Sequence, residues 1–242
     1  MNKNAALTVE GIKKSFGEVL AVKDISFSVA PGEVLGIVGP NGAGKTTTIK
    51  IILGLLQPDK GTITMFGESN TVASVKQRIG YMPENPSFYN HLTGRELTTF
   101  AGELFGIEKK ALTKRVDELM KLVGLQKAAD RQLSGYSKGM LQRVCLAQAL
   151  VNKPEVLFLD EPLDGLDPLG RIQMRKIIET VKAEGTAIIL NSHILSDVAA
   201  VSDQIAVMYQ GNLIAVGSVT SLVPEGKTLE EIFLKLIEKE EA

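Results

Sequence analysis

Eight residues restrict the fold of this chain more than any others: Gly39, Pro40, Asn41, Gly42, Ala43, Gly44, Lys45 and Thr46, which fit the pattern G-x-x-x-x-G-K-[ST]. The glycines allow successive backbone N–H groups to turn inward around a phosphate. A helix that follows points its positive N-terminal end at the same place. Lys45 is placed to reach the β- and γ-phosphates of a nucleotide and the Thr46 hydroxyl to ligate Mg²⁺, with Thr47 joining the contacts. The alternative is a Gly-rich turn with no ligand, but the flanks favour the cradle. VLGIV ahead of the loop is a continuous apolar run, typical of a strand buried on both faces, and TTTIKIILGLL after it reads as a helix.

The rest of the chain predicts a sheet to carry that junction. LTVEGI and VLAVKDISFSVA, within residues 7–30, alternate apolar and polar positions around the turn-like KKSFGE, as half-buried antiparallel strands do. Pro31-Gly32 breaks the chain, Pro58-Asp59-Lys60-Gly61 reads as a turn, and GTITMFG resumes β structure. From about Leu92 to Leu150, RELTTFAGELFGI and KKALTKRVDELMKLVGL place apolar residues at three- and four-residue steps, which predicts a helical insertion. Strand signals return in VLFLD, TAIIL and QIAVMY, and a last helix, over about 220–242, is apolar on one face and acidic at its end. Strands alternating with helices imply a mostly parallel sheet covered on both sides. All of this fits one α/β domain, 1–242.

Composition removes several function classes. The formal net charge is −1 and no run of five basic residues occurs, so no nucleic-acid partner is expected. The single cysteine, Cys145, has no partner for an internal disulfide and sits in the apolar VCLAQAL, which predicts a buried thiol. MNKNAALTVEGIKK lacks the apolar region of a secretory leader. The best candidate for a membrane span, Ile49 to Leu56, is too short and carries Lys50, so the chain is not expected to cross a bilayer by itself.

VLFLDE at 156–161 is an apolar strand ending in two carboxylates. Asp160 is placed to hold Mg²⁺ as the partner of Thr46, and Glu161 to act as general base on the water that attacks a γ-phosphate. An exposed DE pair after a strand is the alternative.

With these residues in hand, the chain resembles the ATP-binding subunits of ABC transporters over nearly its whole length. Tyr136-Ser-Lys-Gly-Met-Leu-Gln-Arg143 is similar to the family signature L-S-G-G-Q-x-Q-R, with Ser137 and Gly139 in the key positions; LSGYS at 133–137 is a rival register. The resemblance implies a P-loop NTPase core with a mostly parallel sheet, an N-terminal antiparallel β subdomain and an inserted α-helical subdomain. It also implies a dimer in which Ser137 and Gly139 of one subunit contact the γ-phosphate of ATP held on the other. Leu163-Asp-Gly-Leu-Asp167-Pro resembles the D-loop, so Asp167 would help couple the two sites. His193 falls where the family has its switch histidine, and Phe16 in KKSFG where an aromatic stacks on adenine. Lys45, Glu161 and His193 are therefore the expected catalytic residues, with ATP and Mg²⁺ as cofactors.

Some positions depart from the family pattern. Glu84, in IGYMPENPSFY, replaces a glutamine thought to link the γ-phosphate and metal to the membrane partner, and Lys138 and Met140 replace the signature's glycine and glutamine. Glu84 and the late L-E-E-I-F helix resemble the exporter branch, whose permease is a separate small membrane protein. The resemblance thus implies an ATPase subunit peripheral to the cytoplasmic face of the membrane, paired with a second ATP-binding subunit and with that permease. Phe88, Tyr89 and Leu92 would suit a docking groove for the permease; a packed loop is an equal reading.

Overall fold

Three strands, Val34–Val38, Val156–Asp160 and Ala187–Ser192, are buried at every residue, and the rest of the molecule is arranged to cover them. The computed structural model describes residues 5–241. Residues 1–4, part of the segment read for a leader, and Ala242, the last residue of the expected terminal helix, lie outside the described residues.

In chain order the first half comprises β1 (Leu7–Phe16), β2 (Val19–Val29), β3 (Val34–Val38), α1 (Lys45–Ile52), β4 (Lys60–Met65), β5 (Glu68–Ser69), α2 (Ala73–Lys76), β6 (Ile79–Met82), α3 (Gly94–Leu104), α4 (Lys109–Leu122) and α5 (Lys138–Ala149). The second half comprises β7 (Val156–Asp160), α6 (Pro168–Ala183), β8 (Ala187–Ser192), α7 (Leu195–Val201), β9 (Gln204–Tyr209), β10 (Asn212–Ser218), α8 (Val219–Leu222) and α9 (Leu229–Glu241). An antiparallel sheet has the order β2-β1-β4-β5; a larger one has the order β10-β9-β3-β8-β7-β6 and is parallel except for β10 against β9. This is the expected α/β architecture.

Period-two alternation divides the central strands between two cores. Val34, Val38, Leu157, Leu159, Ile188 and Leu190 pack on the side of α3–α7, whereas Leu35, Ile37, Val156, Phe158, Ala187 and Ile189 pack with α1 and the antiparallel sheet. Cys145 is buried in the first core, and that burial pushes its thiol up to about 12, so it is chemically quiet.

Three local features differ from the sequence reading. The first strand runs on through KKSF to Phe16, where the Asp59 carboxylate accepts hydrogen bonds from Ser15 N–H at 2.7 Å and Lys14 Nζ at 2.9 Å and ties down the strand end across an irregularity at Lys14/Ser15. The sheet has two further strands: edge strand β6, and β10, which pairs with β9. The segment expected as one helix over 220–242 forms two, α8 and α9. Between them Pro224 lacks an N–H, and Gly226 takes φ +80°, a left-handed value that no helix continues.

Candidate active site

Parallel strands place all their carboxyl ends on one edge, and ligands of such sheets bind in the crevice beyond that edge. Here β3, β6, β7 and β8 deliver the Gly39–Gly44 loop, Glu84, Asp160 with Glu161, and His193 to the same end. A cleft of about 470 Å³ opens there, walled by Ala21, residues 41–47, Glu84, Glu161, Asp164 and His193.

The loop uses its glycines for two different reasons. A Cβ at Gly39 would lie 2.2 Å from the Met208 carbonyl oxygen, and one at Gly44 2.5 Å from that of Ala21, so the loop ends are pressed against β9 and β2. Gly42 has no atom within 4 Å of a would-be Cβ but takes φ +82°, which turns the backbone toward the cleft. Lys45 is the first residue of α1 and is 7% exposed; its ammonium donates to the carbonyls of Gly39 at 2.7 Å and Pro40 at 3.2 Å. Burial lowers its pKa, while the carboxylates of Glu161, Asp160 and Glu84 act the other way.

The acidic strand end is equally constrained. Asp160 is 2% exposed and accepts a 2.6 Å hydrogen bond from Asn191 Nδ2. Burial raises its pKa, partly countered by the Asn191 bond and by Lys50 and Lys45. The phenol of Tyr81 is pushed up to about 12 by burial and the Asp160 charge. Glu161 leaves the strand with φ +51°, unusual for a non-glycine residue. Its Oε2 accepts from the His193 backbone N–H at 3.3 Å and lies 2.9 Å from His193 Nδ1. With an ionised glutamate, Nδ1 is the protonated nitrogen in this pair. On the other side of the ring, Nε2 is 3.9 Å from Asp164 Oδ1. Asp164 in turn accepts from Lys138 Nζ at 3.0 Å, which holds its carboxyl below the usual range.

The oxygen donors suit Mg²⁺. A magnesium ion takes one or two protein carboxylates and completes its shell from phosphates and water. Thr46, Asp160 and Glu84 offer that set, and among the described residues no group of three or more His, Cys, Asp or Glu is arranged to hold a metal alone.

The structure thus gathers the loop residues, Lys45, Thr46, Thr47, Glu84, Asp160, Glu161 and His193 at one place. Ser137, Gly139, Asp167 and Phe16 lie elsewhere. Ser137 is the N-cap of α5, its hydroxyl accepting from Met140 N–H at 3.3 Å, and Gly139 follows it on the same turn. Asp167 caps α6 by accepting from Gly170 N–H at 2.7 Å. Phe16 is half-exposed at the end of β1, with the Lys14 ammonium 5.8 Å from its ring centre, and it does not wall the cleft. Phe88 and Leu92 pack against the core while Tyr89 points outward. Two site residues escaped the sequence reading, Asp164 and Asn191. The first sits midway between Glu161 and Asp167 in EPLDGLD; the second adjoins SH at the end of an apolar run.

Residues 22–164 match the family model described as ABC transporter. An uncharacterized ABC transporter ATP-binding protein of Nostoc sp. is 47% identical over 213 residues, covering 87% of this chain and 64% of that protein. A bacitracin transport ATP-binding protein of Bacillus licheniformis is 38% identical over 206 residues, covering 84% of this chain and 66% of that protein. The chain therefore spans slightly less than two thirds of either relative's length. A solved structure of an ATP-binding subunit of an ABC transporter superposes with a TM-score of 0.87 at 29% identity, covering 96% of this chain and 99% of that one.

Proposed function

The chain belongs to the ABC transporter ATP-binding family, and on that premise we propose that it binds ATP with Mg²⁺ in the cleft beside Lys45 and hydrolyses it to drive transport. The observation that carries this reading is the 2.9 Å contact between Glu161 Oε2 and His193 Nδ1 at the wall of that cleft. A carboxylate and an imidazole meet there beside a buried lysine and a glycine loop, a set suited to hydrolysis of a phosphoanhydride.

In the proposed reaction the loop N–H groups and Lys45 hold the β- and γ-phosphates, with Lys45 exchanging its Gly39 and Pro40 carbonyls for phosphate oxygens. Thr46 and Asp160 would hold Mg²⁺, which would supply neutralisation of the charge on the phosphates. Glu161 takes a proton from the attacking water as its oxygen bonds to the γ-phosphorus and the bond to the β-bridging oxygen breaks. His193 orients that water and the γ-phosphate, and its tie to Glu161 keeps the base turned into the cleft.

Ser137 and Gly139 lie outside the chain's own cleft, which supports a role across an interface: two copies clasp two ATP molecules, each supplying α5 of one subunit to the phosphate of the other. A homodimer is the simplest form. Asp167 and Phe16 would act at that interface and on adenine respectively. The same reading treats 1–242 as one ATPase domain with residues 92–150 as its helical subdomain.

Among the described residues no helix is long and apolar enough to cross a membrane. We assign the path to a separate permease, with this chain peripheral on the cytoplasmic face. A relative from Burkholderia lata named for Nod factor export, together with Glu84 in the exporter-like position, supports export as the direction. The direct test is phosphate release from ATP with Mg²⁺ by the purified chain. Glu161→Gln is expected to bind ATP, to lose about 10²–10⁴-fold in turnover, and to accumulate as a dimer. Turnover by that variant at the wild-type rate would remove Glu161 from the role of base.

A further inference from the structure

Strand β8 runs AIIL through the middle of the parallel sheet and then changes character at Asn191, which is 1% exposed. In register Asn191 lies beside Asp160 on β7 and Ile37 on β3, a position enclosed on both sides where an apolar residue is the usual occupant. A buried amide needs partners for both its donor and its acceptor. Both are found in the acidic strand end. Nδ2 donates to Asp160 Oδ1 at 2.6 Å, and Oδ1 accepts from Glu161 N–H at 3.0 Å; the same N–H reaches the Asn191 main-chain carbonyl at 3.1 Å. The orientation of the amide is fixed by these neighbours, because a backbone N–H only donates and an ionised carboxylate only accepts.

We propose that Asn191 is a positioning residue for nucleotide hydrolysis, one amide that fixes the Asp160 carboxylate in a single rotamer and holds the left-handed backbone that turns Glu161 into the cleft. The inference rests on the ATPase reading above. Asparagine suits the place because it both donates and accepts at this length: aspartate has no donor to give Asp160, and leucine fills the volume with neither group. The Glu161 N–H has two acceptors on one residue, so a conformation a non-glycine rarely adopts (φ +51°) is held at the point where the base leaves the strand. His193, two residues beyond Asn191, then meets the far end of Glu161. Asp160, Glu161 and His193 are thereby spaced from one buried anchor, none of whose polar atoms is among the unpartnered ones.

The test uses the full chain with Mn²⁺ in place of Mg²⁺ as a spin probe, and measures ATP affinity in EDTA, Mn²⁺ half-saturation of the nucleotide complex, and turnover at saturating Mn²⁺. In Asn191→Leu, ATP affinity in EDTA is expected to stay within about twofold of wild type, since the glycine loop is untouched. Mn²⁺ half-saturation should rise roughly 10–100-fold, with a comparable loss of turnover. Asn191→Ala, which adds no volume, serves if the leucine variant does not fold, with the same expectation. Unchanged Mn²⁺ half-saturation in a folded variant overturns the inference. So does an equal loss of affinity with and without metal, because that marks a general loss of structure. A wild-type chain whose ATP binding ignores Mn²⁺ would instead defeat the ATPase reading, which keeps the two failures distinguishable.

Discussion

The Gly39–Gly44 loop and the Ser137–Gly139 turn both lead into helix N-termini, and they differ in how complete each is within one chain. The first is enclosed: Lys45 is 7% exposed, its ammonium has two carbonyl partners, and three strands, β6, β7 and β8, bring carboxylates and an imidazole to its side. The second is open. Ser137 is exposed, its hydroxyl spends itself on the cap of α5, and no basic or acidic residue of the cleft faces it except through Lys138 and Asp164. On the two-copy proposal, the enclosed loop holds the phosphate and the open turn completes that site on a second chain, and the variants below test that asymmetry.

The largest expected effect falls on the enclosed half. Lys45→Ala removes a charge-assisted contact to phosphate worth about 2–4 kcal/mol, so ATP affinity should fall about 30- to 10³-fold. Equilibrium titration with a fluorescent ATP analogue measures this; unchanged affinity would mean that the loop is not the cradle.

The enclosed half was also the legible one. Its glycines and lysine are contiguous in sequence, its two carboxylates directly follow an apolar run, and β3, β7 and β8 announce themselves as apolar runs because both of their faces are covered. Elements at the margins gave weaker signals. Strand β6 is four residues long and interrupted by Gly80, a position needed because a Cβ would lie 2.1 Å from the Ala149 carbonyl oxygen where α5 presses on the sheet edge. Strand β10 is only half-buried, so its alternation is blurred. Asp164 and Asn191 act through contacts 29 and 31 residues away, to His193 and Asp160, and no local pattern encodes such pairings.

On the open half, Ser137→Ala should leave ATP affinity of the isolated chain unchanged while lowering turnover about 10–100-fold, the value of one hydrogen bond to a charged group made across the dimer. Loss of the cap should also cost about 1 kcal/mol of stability, visible in denaturant unfolding. A variant that loses stability but keeps turnover would confine Ser137 to capping and break the two-copy reading.

A smaller effect is expected where His193 faces its second carboxylate. Asp164→Asn keeps the shape and removes the charge 3.9 Å from Nε2. Turnover should fall a few-fold, on the order of 1 kcal/mol, because the contact is longer than a hydrogen bond and open to solvent. Single-turnover hydrolysis reads it, and an unaltered rate would mean that the Asp164 charge does not act on His193.

The smallest effect belongs to the only ion pair joining the open turn to the enclosed cleft among the described residues, Lys138 to Asp164 at 3.0 Å. Both side chains are substantially exposed, at 59% and 41%, so the pair is worth about 0–1 kcal/mol and Lys138→Ala should change turnover no more than about fivefold. Its pH behaviour follows from the sign of the Asp164 shift. The carboxyl is held below its ordinary value of 3.8, first by the Lys138 hydrogen bond, so the attraction is fully present above that value and is lost as pH falls through the lowered one. Near neutral pH the pair is therefore insensitive to protons and sensitive to salt. Wild-type turnover should fall toward that of Lys138→Ala as ionic strength rises to about 1 M, where the screening length is roughly 3 Å. If the gap between the two proteins stays constant with salt, Lys138 acts by its bulk against Gly165, whose would-be Cβ lies 2.0 Å from its Nζ, and not by its charge.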